Sequence, residues 1–225
     1  MSLLLRKRQM VVAGVSPSVR YAAGKEANTG TSITVIFPGA PIAGDVIVFM
    51  YGCSTSGGPT TVPTGFTLDH TTITDLPDIR IYSKVAEGTE GSSFTFGDAS
   101  NNKKSAVGWI VKDWAGVLRQ VRNVQTSGSV NTGTIRWPSG DDVFAYQGRT
   151  LILVADCVET GKFFTWSIRI TSGFPLVTGS IVQSAAPANF MNGISYTVVE
   201  SGSHQIECTL NSGGQHQGYL YILRN

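Results

Sequence analysis

Residues 163–170 read FFTWSIRI. Phe164, Trp166, Ile168 and Ile170 fall on one side of an extended chain, and Thr165, Ser167 and Arg169 fall on the other. Successive side chains of a strand point to opposite faces, so this alternation predicts a half-buried strand. The stretch 45–51, DVIVFMY, is different. It is apolar throughout after its first residue, the pattern of a strand covered on both faces. Residues 78–86, DIRIYSKVA, put Ile79, Ile81 and Val85 on one face and Arg80, Tyr82 and Lys84 on the other. Further strand-like windows lie at 31–37, 66–70, 93–96, 105–114, 150–156, 194–199, 205–210 and 218–223. They recur about every 10–15 residues with turn residues between them, the signature of a sandwich. The predicted core includes Ile79, Ile81, Val85, Phe164, Trp166, Ile168 and Ile206.

Composition agrees with this reading. Of 225 residues, 41% are apolar and 14% charged, against about 25% charged in an average soluble domain. Coiled coils and charge-rich disordered tails are excluded by that deficit. The apolar runs fall short of the roughly 18 residues of a membrane helix. A chain of 24.0 kDa buries roughly 70% of its unfolded surface, enough for one core without metal or disulfides. The prediction is an all-β, jelly-roll-like antiparallel β-sandwich.

The two halves echo each other. GDVIVFMYGC, TGFTLDH, IRIYSKVAEG, SSFTF and SAVGWIVKDW are followed by GRTLILVADC, SGFPLVTG, ISYTVVESG, HQIECTL and QGYLYILRN. Gly44 and Gly148 are 104 residues apart, and Gly108 and Gly218 are 110 apart. A period this long is not a solenoid. It implies two pseudo-repeated halves closing on each other.

The first 28 residues show neither period and read as an extended basic arm preceding a single sandwich domain, 29–225. Arg6, Lys7, Arg8, Arg20 and Lys25 give residues 1–25 a charge of +5, and the rest of the chain is at −3. In a secretory signal the charges precede an apolar run of roughly 7–15 residues. Here they follow the short Leu3–Leu5 run, so export by this segment is not expected. The arm's apolar residues, Leu3, Leu4, Leu5, Met10, Val11 and Val12, are the expected anchor to a partner. Arg6, Lys7 and Arg8 are expected to face acidic groups there. A cluster of three bases without aromatic neighbours favours protein docking over nucleic acid.

Little else suggests chemistry. No nucleophile elbow, zincin, dinucleotide or P-loop motif is present, and no enzyme activity or cofactor is expected. His70, His204 and His216 are far apart in sequence, and the alternation of His204 with Ile206 and Cys208 makes it a cap on a core face. Asp141-Asp142 and the loop Asp98 to Asn102 offer oxygen ligands but lack calcium-loop spacing, and they read as solvated turns. Trp137, beside Pro138, is the best candidate for an exposed ring, whether for a sugar or for an interface.

The order GDVIVF (44–49), Pro63–Leu68 (PTGFTL), Ile81–Gly88 (IYSKVAEG), SFTF (93–96) and Trp114–Val117 (WAGV) resembles the β-sandwich accessory proteins of tailed phages and prophages. Their pattern is G-D-apolar, P-x-G-W-T, Y-x-K-x-A-x-G and a closing Y-x-G-V. Phe66 stands for the usual Trp, and Trp114-Ala115 for the usual Tyr-Ser. The resemblance spans residues 30–225 and transfers no catalytic residue. It implies a non-enzymatic virion protein, a capsid decoration, head spike or tail component, made in the host cytoplasm and located in the virion. Its partners would be other virion proteins or further copies of itself, without nucleic acid or membrane. The runner-up is a carbohydrate-binding or host-receptor module taking a surface glycan.

Three cysteines, an odd number, without CxxC spacing do not form a disulfide framework or a zinc site. A thiol titration under denaturing, non-reducing conditions is expected to count three groups per chain. A count of one would reveal a disulfide.

Overall fold

The computed structural model describes residues 15–27, 29–53, 58–71, 78–99, 103–116, 118–125, 134–136, 150–158, 164–170, 177–183, 191–198, 204–210 and 216–225. Among these residues the chain is all-β, with no helix. The strands of the first half are β1 (Ser18–Ala27), β2 (Ser32–Ile36), β3 (Val46–Cys53), β4 (Thr67–Thr71), β5 (Asp78–Val85), β6 (Ser93–Gly97) and β7 (Lys104–Lys112). Those of the second half are β8 (Leu118–Gln125), β9 (Thr134–Arg136), β10 (Thr150–Val158), β11 (Phe164–Ile170), β12 (Val177–Gln183), β13 (Met191–Val198), β14 (His204–Leu210) and β15 (His216–Arg224). Every described strand pairing is antiparallel.

Two five-stranded sheets form the sandwich, in the orders β1-β7-β3-β5-β4 and β12-β13-β10-β15-β8. Val46, Val48, Met50, Ile79, Ile81, Val107, Trp109 and Val111 of the first sheet pack in one cluster with Leu151, Leu153, Ala155, Tyr219, Tyr221 and Leu223 of the second. The opposite face of the first sheet is covered as well. Ile47, Phe49, Tyr51, Cys53, Tyr82, Ala106 and Ile110 pack under the β2-β6 ribbon, against Ile33, Val35, Phe37, Phe94 and Phe96. The first sheet is therefore a middle layer, which is why all eight residues of β3 are buried. Phe49 sits at the centre of this second cluster, with ring centroids 5.1–5.8 Å apart among its neighbours Phe37, Phe66, Phe94 and Phe96. Gly108 lies opposite Phe49 in the ladder, and a Cβ there would collide with the rings of Phe49 and Phe37.

The repeat is visible in the topology. Each five-stranded sheet comes from one half, and the two share one order once β1, β7, β3, β5 and β4 are matched to β8, β15, β10, β13 and β12. The β2-β6 ribbon matches the β9-β14 pair. β11 adds a strand to β14, and the same place in the first half holds a single bridge, Thr61 to Gly97. Buried Ser83, opposite Val48, and buried Ser195, opposite Leu153, occupy equivalent positions. β1 lies against β12 and β13, while β8 meets β4. The halves thus face each other with approximate two-fold symmetry.

Four expectations need correction. Ser18–Ala27 is not arm but the edge strand β1, paired with β7. Its period is hidden by a bulge at Arg20: Val19 opposes Val111, and Tyr21 opposes Ile110. The extra residue swaps the faces, so Val19 and Ala22 pack toward the second sheet and Tyr21 and Ala23 pack under the ribbon. A second sequence echo, Asn-Thr-Gly-Thr at 28–31 and again at 131–134, marks this strand as part of the first repeat. Tyr82, expected on a polar face, is buried because that face is also covered. Val85, expected in the core, is exposed at the last position of β5. Alternation gives a residue's face but not whether the covering layer reaches its end of the strand. Once Ser83 is matched to Ser195, the ladder position of Gly108 corresponds to Leu220 and not to Gly218, the glycine that the sequence echo paired with it. Ile79 and Ile81 are buried as expected. The side chains of Phe164, Trp166, Ile168 and Ile206 lie outside the described residues.

Trp109 is the largest fully buried side chain in the inter-sheet cluster. Trp109→Ala is expected to cost about 3–5 kcal/mol in urea denaturation. Exposed Ile36→Ala should stay within about 0.5 kcal/mol.

Candidate functional site

Polar groups gather at three places. The first is a clasp between the sheets. In β4, Leu68 opposes Tyr82 and His70 opposes Ile81, leaving Asp69 as a bulge residue. The bulge lets Asp69 and His70, adjacent in sequence, both turn toward the inter-sheet space. Asp69 Oδ2 accepts hydrogen bonds from Ser83 Oγ at 2.5 Å and from the Tyr221 hydroxyl at 2.8 Å. Arg119 pairs with Asp69 Oδ1 at 3.1 Å and donates to Ser83 Oγ at 2.7 Å. Four strands from both halves are tied by this one carboxylate. Burial pushes the Tyr221 hydroxyl pKa well above its ordinary value. The His70 ring stacks on Tyr219 with centroids 4.8 Å apart, and its Nε2 is buried without a hydrogen-bond partner among the described residues. Burial holds its pKa below the usual 6.5. Ser83 spends its hydrogen on Asp69 and a lone pair on Arg119, and it is itself buried. The clasp is built to hold, with no hydroxyl presented to a substrate.

The second cluster closes the far end of the first sheet, beneath the ribbon. Asp78, Cys53 and Lys104 stand in one row across β5, β3 and β7. Asp98 Oδ2 accepts from the Tyr51 hydroxyl at 3.3 Å and from Cys53 Sγ at 3.6 Å. Lys104 Nζ donates to the Gly30 carbonyl at 2.5 Å and lies 3.9 Å from Asp98 Oδ2. The Lys104 side chain is 0% exposed and that of Asp98 5%. Arg80 pairs with Asp78 at 3.3 Å. Burial, then neighbouring Cys53 and Asp98, pushes the Tyr51 hydroxyl pKa far up. Asp98, read from sequence as part of a solvated turn, is therefore a buried ion-pair member. The loop sequence gave no sign of this, because its partners come from β3 and β7. Among the described residues no group of three acids, histidines or cysteines could hold a metal ion.

The third place is the near end, where the chain enters the fold. Arg20 pairs with buried Asp45 at 2.8 and 3.2 Å, and Asp45 also accepts from the Ile42 backbone N–H at 2.9 Å. The Asn225 side chain donates to the carbonyls of Val15 and Asp113. Val15, Ile36, Ile42 and Val85 are 51–67% exposed. Register puts two of them at this end, with Val85 opposite Val46 at the start of β3 and Ile36 opposite Ser93 at the start of β6, and hydrogen bonds tie Ile42 to Asp45 and Val15 to Asn225.

The expected docking residues, Leu3, Leu4, Leu5, Arg6, Lys7, Arg8, Met10, Val11 and Val12, lie outside the described residues, as do Trp137 and Asp141-Asp142. Trp109 is buried, and Trp114 donates from its indole to the Arg224 carbonyl at 3.2 Å. Cys53 is buried, with its Sγ donating to Asp98 Oδ2. No helix among the described residues is long and apolar enough to cross a membrane. Comparison with protein-family models, curated proteins and solved structures finds no match.

Burial makes His70 harder to protonate in the folded chain, so the unfolded chain protonates first as pH falls. That stability is complete above the unfolded pKa near 6.5 and is lost as pH drops below it. His70→Phe, which can still stack on Tyr219, is expected to flatten the fall in melting temperature between about pH 7 and 5.

Proposed function

We propose that this chain is a non-enzymatic structural subunit of a phage-like virion, docked through its near end onto another virion protein. The observation that carries this reading is the exposure of Val15, Ile36, Ile42 and Val85, each more than half open, towards the end where β3 and β6 begin. Single exposed apolar residues are ordinary, but a group rimmed by polar residues marks a contact surface. Exposed acids follow the strands that end here, Glu87 after β5, 74% exposed at its side chain, and Asp113 after β7. The sequence that precedes Val15 carries Leu3–Leu5, Met10–Val12 and the bases Arg6–Arg8. The two clusters with the most buried polar groups turn inward and are spent on holding layers together. The motif order shared with phage accessory sandwiches supports the same reading.

Because β1 is part of the sheet, a deletion that spares it stops at residue 14. Deleting residues 1–14 is expected to leave thermal unfolding within about 2 °C of the full chain while removing the protein from particles. Copy number is read by mass spectrometry of particles purified from the source. Ile42→Asp with Val85→Asp should act in the same direction. Normal copy number in both variants would overturn the reading.

A further inference from the structure

We propose that Lys104 and Asp98 condense into an intramolecular amide, a covalent cross-link between the β2-β6 ribbon and the middle sheet. Asp98 directly follows β6, and Lys104 opens β7. Both side chains are buried, and Nζ lies 3.9 Å from Oδ2. The atoms that react are Nζ and Cγ, the carbon that bears Oδ2, and the flexible lysine stem lets Nζ close on it. The backbone at both ends is fixed. Asp98 N–H bonds the Thr31 carbonyl at 2.7 Å, and Lys104 is paired with Cys53 and Ala27 in the ladder. Such fixation gives an intramolecular reaction a high effective concentration.

The reaction balances without any co-reactant. One proton passes from the ammonium to the carboxylate, giving an amine and a carboxylic acid. Nζ attacks Cγ, and the Cγ–Oδ2 bond breaks. Oδ2 leaves as water, carrying that proton and a second one from nitrogen. The amide keeps the last N–H. The oxygen that must leave is the one that already receives hydrogen bonds from Tyr51 and Cys53. Two donors on the departing oxygen assist the breaking of its bond to Cγ. The Gly30 carbonyl holds the attacking nitrogen in place. The product replaces two buried charges, each costly to desolvate, with one neutral amide.

The test is the intact mass of the purified full-length chain under denaturing, reducing conditions. The expected mass is one water below that of the sequence, and Lys104→Met and Lys104→Arg should each show their full sequence mass. Trypsin maps the bond. In the native sequence it should cut after Lys103 but not after Lys104, leaving the peptide that contains Asp98 joined to the one beginning at Lys104. A wild-type chain at full sequence mass, cleaved after Lys104, would overturn the proposal. So would a water loss that maps to a linear peptide, the sign of a succinimide at Asp98. Both decisive readings are on the native chain, so they hold even if a variant fails to fold.

Discussion

The face that the first sheet shares with the second is the constraint on which the molecule depends. Val46, Val48, Met50, Trp109 and Val111 on one side meet Leu151, Leu153, Tyr219, Tyr221 and Leu223 on the other. Neither half can hide this surface alone. The first sheet also carries the β2-β6 ribbon on its other face, so its central strands have no side open to water. The low charge content follows from this architecture. A two-layer antiparallel sandwich gives each strand a solvated face where charges are placed at no cost. A middle layer does not, and every ionised group in it needs a partner.

Those partners stand where the apolar layers end. Asp69 with Arg119 closes one margin of the inter-sheet core, Asp98 with Lys104 closes the far end beneath the ribbon, and Asp45 with Arg20 closes the near end. Hydrophobic packing is non-directional, and two flat apolar faces in contact have little to fix their mutual register. Hydrogen bonds from Ser83, Tyr221 and Arg119 to one carboxylate have a single geometry. Desolvating these groups makes their net stabilisation small, so the contribution of the clasp is alignment of the two halves.

Sequence patterning reveals what depends on period alone. The all-apolar run of β3 showed that it would be covered on both faces, and the echo of strand order showed the duplication. Patterning failed where the backbone leaves its period. The bulge at Arg20 hid β1, and the bulge at Asp69 hid the clasp, since regular alternation would have sent Asp69 and His70 to opposite faces. The buried clusters were illegible for another reason. Asp98 and Tyr51 are 47 residues apart, and Asp69 and Tyr221 are 152 apart. No local spacing encodes such a meeting.

The duplication raises a question of pairing, because a half that packs on its twin could in principle pack on a copy of itself. The clasp answers it, since its residues are not repeated at the corresponding ladder positions. Where β4 bulges at Asp69, β12 runs Ile181, Val182 and Gln183 in unbroken register with Ile194, Gly193 and Asn192. Where β8 places Arg119 opposite Leu223, β1 places Val19 opposite Val111. Two first halves packed together would therefore set Asp69 against a valine. That leaves a carboxylate in the inter-sheet space with no guanidinium, and an unpaired buried charge is costlier than any pair. Two second halves would lack the carboxylate altogether and leave Arg119 without its partner. Only the union of unlike halves satisfies both groups, so the divergence of the repeats at Asp69 and Arg119 selects the pairing of a first half with a second half.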